Sequence, residues 1–67
     1  MLYGIMKMKF KEGDSIKSKN NNIDGTILFT DPVLLEKKIY KIRWHNSVTN
    51  LIVVGYANEE DITNRST

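Results

Sequence analysis

Apolar and polar positions alternate along much of this chain with a period of two. Met6, Met8 and Phe10 alternate with Lys7, Lys9 and Lys11, the pattern of a strand with one buried face. Residues 1–9 read as an N-terminal arm and the start of this strand, with residues 1–5 as the arm proper. Glu12, Gly13 and Asp14 make a turn, with Gly13 free to take positive φ. Residues 15–19 predict a short strand with Ile16 inward. Asn20, Asn21 and Asn22 predict a loop, closed by Asp24 and Gly25. Residues 25–30 are β-branched and aromatic, as in a strand, and Pro32 breaks it because proline lacks the N–H a ladder needs. Residues 33–37 read as one helical turn or a wide loop tip, too short for a helix stable alone.

Residues 38–45 carry the chain's single Trp and single His. In a strand, Tyr40, Ile42 and Trp44 share one face, and Lys41, Arg43 and His45 the other. Asn46 and Ser47 turn the chain. Residues 49–54 form a nearly continuous apolar run, expected to be a central strand. Residues 55–58 are expected to turn away from it. Residues 59–62 suggest a short 3₁₀ turn or a terminal strand, with Ile62 as a core plug, and residues 63–67 a frayed tail. Five short strands separated by turn signals predict an all-β domain, a small barrel or sandwich.

Composition narrows the function classes. Sixty-seven residues allow one small domain, which buries only about 60% of its unfolded surface. There is no cysteine, hence no disulfide and no thiolate metal site. No apolar run approaches the ~20 residues of a membrane span, and Lys7 and Lys9 interrupt anything like a signal peptide. A cytoplasmic protein is expected. Net charge is +2 over 67 residues, with the positive excess in residues 1–45. The Lys, Ile and Asn bias accompanies AT-rich coding DNA, as in phages and mobile elements.

The order Phe10, Gly13-Asp14, Ile16, then Gly25 and Ile27, then Tyr40, Ile42 and Trp44, then Glu60-Asp61-Ile62 resembles the SH3-like small barrels across residues 10–62. The first half is similar to the KOW motif, in which Gly-Asp enters the first strand and a later Gly opens the second. Tyr40-x-Ile42-x-Trp44 is similar to the third strand of Tudor and chromo-type barrels. This resemblance implies a single SH3-like barrel of about five antiparallel strands with a 3₁₀ turn near the C-terminus. A chromo-like methyl-lysine cage would use a second aromatic shortly after the Trp, where Ser47 stands here. The plasmid-type dihydrofolate reductases share the barrel size, but their Val-Gln-Ile-Tyr run finds no Gln among Leu51, Ile52, Val53, Val54, Gly55 and Tyr56.

Candidate sites follow from residue type. Lys41, Arg43 and His45, with Lys17 and Lys19, would form a phosphate-gripping stripe if the strands lie side by side, and the bland alternative is a solvated face. Trp44 and Tyr40 are stacking candidates or core residues. The strand alternation puts Trp44 on the face of Ile42 and favours the second. His45 has no second His or Cys to make a metal motif, and with Ser47 alone it lacks a catalytic constellation. Leu2, Tyr3, Ile5, Val33, Leu34 and Leu35 are apolar residues in arm and loop positions, expected to cover the barrel ends or to form a partner interface. The expectation is a non-catalytic binding module without cofactor, metal or small-molecule substrate. Its partner is a protein or a second copy, as for a phage factor that inhibits or retargets a host protein. The alternative is nucleic acid held in the KOW manner.

Overall fold

The structure, a computed structural model, describes residues 8–65. Five strands form one antiparallel sheet: β1 (Ser15–Ser18), β2 (Asp24–Ile27), β3 (Ile39–Asn46), β4 (Leu51–Asn58) and β5 (Ile62–Asn64). Their order across the sheet is β4-β3-β2-β1-β5. A short helix, α1 (Pro32–Glu36), joins β2 to β3, and a 3₁₀ turn, Glu59–Asp61, joins β4 to β5. The all-β class, the five antiparallel strands and the 3₁₀ turn agree with the sequence expectation. No helix among the described residues is long and apolar enough to cross a membrane.

Consecutive in the chain, β4 and β5 nonetheless stand at opposite edges of the sheet. Across a flat sheet, four strand spacings would separate them by about 19 Å. One 3₁₀ turn covers only about 8 Å. The sheet must therefore curl strongly at this end. The turn itself bridges the two sides: Glu59 N–H donates to the Lys38 carbonyl at 2.9 Å, and the Asp61 carbonyl accepts from Lys19 N–H at 3.0 Å. Curling stops short of the closed barrel that was expected. Among the described residues β4 pairs with β3 and β5 with β1, and the two do not pair with each other. With three residues, β5 is filled by its register on β1 (Ile16↔Asn64, Lys17↔Thr63, Ser18↔Ile62), and the 3₁₀ turn occupies the seam.

The core lies on the concave face. Phe10, Ile16, Ile27, Tyr40, Ile42 and Ile62 are buried, with Met8, Leu35, Trp44 and Ala57 packed against them. Each fully buried side chain of this size contributes about 1.5–3 kcal/mol of transfer free energy. Tyr40 is the largest of them at 0% exposure. Its ring meets Phe10 edge-on, with centroids 5.7 Å apart and planes at 79°. Its hydroxyl donates to Glu59 Oε2 at 2.7 Å and accepts from Phe10 N–H at 3.4 Å. Burial first, and then the hydrogen bond to Glu59, raise the pKa of this phenol above its ordinary value.

Local chemistry explains the element ends. Gly13 has φ +94, a left-handed geometry that an L side chain strains to adopt. Asp31 caps α1, its carboxylate accepting from Val33 N–H at 2.8 Å, and Pro32 sits where a missing N–H costs nothing. Asn46 Oδ1 accepts from Val48 N–H at 2.9 Å and pins the turn between β3 and β4.

Several expectations need correction. Residues 8–11 form no strand: Lys9 and Phe10 lie in a bend, although Phe10 is in the core as expected. Met6 and Lys7, which the same expectation covered, lie outside the described residues. β2 ends at Ile27, and Phe29 is 69% exposed. Residues 55–58 do not turn away but continue β4. Residues 63 and 64 are not frayed but belong to β5, and Arg65 N–H donates to the Ser15 carbonyl at 3.2 Å. Above all, the apolar run expected at the centre of the sheet is its edge.

Candidate functional site

The register between β3 and β4 assigns every β4 side chain to a face. Trp44 opposes Val53, Asn46 opposes Leu51, and Ile42 opposes Gly55. Leu51, Val53, Gly55 and Ala57 therefore lie on the concave face, because opposed residues in a ladder point the same way. His45 opposes Ile52, Arg43 opposes Val54 and Lys41 opposes Tyr56, on the convex face. Both faces of β4 are apolar, and both are open. Leu51, Ile52, Val53, Val54 and Tyr56 are 52–63% exposed.

An edge strand with free N–H and C=O groups invites pairing with another chain, and proteins normally blunt such edges with lysine, proline, bulges or short length. β4 has none of these. Its eight residues, LIVVGYAN, contain no charge and no proline, and they pair with β3 in unbroken register from Leu51 to Asn58.

Beside Leu51 and Val53 lies a cleft of about 310 Å³, lined also by Ser18, Asn21, Ile23, Trp44, Asn46 and Thr49. Two glycines make room for the indole at its wall. A Cβ on Gly25 would lie 3.0 Å from Trp44 Cε3 and 2.6 Å from Ile42 Cγ2, while one on Gly55 would lie 3.5 Å from Trp44 Nε1. Trp44 is thus half-buried against the backbone, with part of it facing the cleft.

The convex face gathers cations. Lys17 opposes Asp24, which opposes His45, so Lys17, His45, Arg43 and Lys41 share this face next to Ile52, Val54 and Tyr56. Asp24 stands among them, 3.6 Å from Arg65 in an ion pair. His45 Nε2 lies 3.2 Å from Asn50 Oδ1. Lys19 is not part of this group. It lines a separate cleft with Lys9, Lys37, Lys38, Asn58, Glu59 and Glu60. That second lysine group, spread over three distant segments, has no signal in the linear sequence.

The remaining candidates separate. Tyr40 is fully buried, so its face has no room for a stacking base. Val33 is 60% exposed on α1, Leu34 is half-buried, and Leu35 packs on the core. Leu2, Tyr3 and Ile5 lie outside the described residues. No group of three or more His, Asp or Glu that could hold a metal is present among the described residues.

The sequence alone marks Ile52 and Val54 only as buried strand positions and Tyr56 only as part of a turn. Apolarity on both faces was the available signal; the exposure that turns it into a surface appears only in three dimensions. Comparison with protein-family models, curated proteins and solved structures finds no match to this chain.

Proposed function

We propose that the protein is a non-catalytic protein-binding module that receives an extended β-strand along β4. The observation that carries this reading is an eight-residue, uncharged, proline-free edge strand whose five large apolar side chains are half to two-thirds exposed. Strand addition at such an edge draws affinity from main-chain hydrogen bonds, and alternate side chains give specificity. The order β5-β1-β2-β3-β4, with a 3₁₀ turn between the last two strands in sequence, supports an SH3-like relationship. The partner has the chemistry of an extended, mainly apolar, uncharged segment.

Synthetic octapeptides rich in Val, Ile and Tyr, each with a proline-substituted control, test the reading by chemical-shift mapping. Shifts concentrated on β4, absent with the proline controls and lost in Val54→Lys, support it. An unperturbed β4 across the set contradicts it.

A second reading rests on a separate observation: Lys41 opposes the exposed Tyr56, and Arg43, His45 and Lys17 lie on the same face. Cations beside an aromatic suit single-stranded nucleic acid. Titrating a single-stranded oligonucleotide at several salt concentrations separates the two. Binding that weakens steeply with salt and is lost in Lys41→Ala/Arg43→Ala favours nucleic acid. No binding at low salt removes this reading.

A further inference from the structure

We infer that the strand received by β4 is β4 of a second copy, forming a two-fold dimer centred on Val54. This rests on the strand-addition reading and names its partner.

The edge is self-complementary. A two-fold axis perpendicular to the sheet pairs antiparallel strands with each face continuous, so residue i meets residue j of the same parity. Three registers place the axis near the middle of β4. Centring on Val53 places Tyr56 against the partner's Asn50, in the turn. Centring on Gly55 sets Ile52 against Asn58 and Leu51 against Glu59. Centring on Val54 pairs Leu51 with Ala57, Ile52 with Tyr56, Val53 with Gly55, and Val54 with itself. Only this last register matches every residue from 51 to 57 with an apolar partner.

Both faces gain from that register. On the convex side Ile52 and Tyr56 form an aromatic to β-branched pair on each flank of Val54, a favoured cross-strand combination. On the concave side Val53 of one copy enters the space over the other's Gly55, beside Trp44, which lies at ordinary contact distance from that position. The lack of any charge in β4 means no like charges meet at the axis. The five exposed side chains present roughly 500 Å² per copy, on the order of 1,000 Å² in the pair, so only their full burial would reach the size of a specific interface, and main-chain hydrogen bonds along the edge carry the rest. A two-fold pairing consumes the edge on both copies and so closes at two, which keeps the strand from templating longer assemblies.

The chain has no cysteine, so single-cysteine variants report position cleanly. Val54→Cys is expected to cross-link on mild oxidation, since opposed residues in an antiparallel pair have Cα atoms ~4.5–5.5 Å apart, within disulfide reach. Tyr56→Cys is expected to remain unlinked, its two copies lying roughly 13 Å apart along the strands. Sedimentation equilibrium of the unmodified chain is expected to show a dimer, weakened at least about 100-fold by Val54→Lys, which sets two ammonium groups together at the axis. Ile52→Lys gives the same loss by a separate substitution, and circular dichroism confirms that both variants fold. A monomer at millimolar concentration overturns the inference, as does a dimer untouched by both lysine variants, or cross-linking of Tyr56→Cys as fast as Val54→Cys. In each case octapeptide mapping on the same protein decides the strand-addition reading independently.

Discussion

Replacing Gly25 with alanine probes how closely β2 lies against the core. The added Cβ would stand 2.6 Å from Ile42 Cγ2, 3.0 Å from Trp44 Cε3 and 3.2 Å from Ile16 Cδ1. The first distance is shorter than real Cβ contacts, and all three neighbours are packed. Ile42 and Ile16 are both 0% exposed, so neither has free volume to retreat into. Overpacking of this kind costs about 1–3 kcal/mol. A chain of this length has a total stability of only about 3–10 kcal/mol, so the loss is a large fraction of the whole. With a urea slope near 1 kcal/mol/M for a small domain, the midpoint should fall by about 1–3 M. Trp44, the single Trp, reports unfolding by fluorescence and is itself one of the displaced groups. Two other glycines calibrate the mechanism. Gly13→Ala meets no atom within 4 Å but sits at φ +94, so its cost is backbone strain of about 1–2 kcal/mol. Gly55→Ala meets Trp44 only at 3.5 Å and beyond, and its effect should stay within about 0.5 kcal/mol. A wild-type midpoint for Gly25→Ala, or a larger loss at Gly55 than at Gly25, would refute the packing argument.

Other consequences are equally direct. Ile42→Ala removes a fully buried side chain and should cost about 2–5 kcal/mol, whereas Val48→Ala, at a position 91% exposed, should change the urea midpoint negligibly. Tyr40→Phe removes the hydroxyl that joins Phe10 N–H to Glu59 and should cost about 1.5–3 kcal/mol, as for a hydrogen bond to a charged group. Because the folded protein raises the Tyr40 pKa above 10.0, the unfolded chain releases that proton first. This contribution is fully present below about pH 10 and declines as pH rises through the folded pKa. Urea midpoints from pH 8 to 11 should show an alkaline decline that Tyr40→Phe reduces, and an identical decline in the variant would count against it. Asp31→Ala deletes the cap on α1 and should lower stability by about 1 kcal/mol, read from the same urea curves.

The parts of the fold visible in sequence were those set by local chemistry. Gly13-Asp14, the Asn20–Asn22 loop, Pro32 and the 3₁₀ turn at Glu59–Asp61 all stand where turn residues require them. Period-two alternation correctly put Ile16, Tyr40 and Ile42 inside. The strand expected at 6–11 misleads over residues 8–11, where Phe10 reaches the core from a bend by packing edge-on against Tyr40. Alternation alone cannot distinguish such an anchor from a ladder residue.

The informative disagreement is β4. A run apolar on both faces implies cover on both faces, and residues 49–54 read as a central strand for that reason. Strand order is a long-range property, and it places this run at the edge. The apolar pattern is then satisfied only by cover from beyond the chain's own described sheet. Local pattern and global position conflict most often where a protein meets something else. The cationic stripe shows the same limit in milder form. Lys17 joins Lys41, Arg43 and His45 through pairing across β2, while Lys19 leaves the group because β1 ends at Ser18.

The role proposed for the free side of β4 is to bind another β-strand. Amide hydrogen exchange on the unmodified protein, measured from dilute to millimolar concentration, tests it most directly. The β4 amides that point away from β3 should exchange quickly in dilute solution and become protected, as β3 amides are, when the protein is concentrated. If those amides stay fast at every concentration and with every octapeptide while β3 remains protected, β4 is an ordinary free edge that binds no strand.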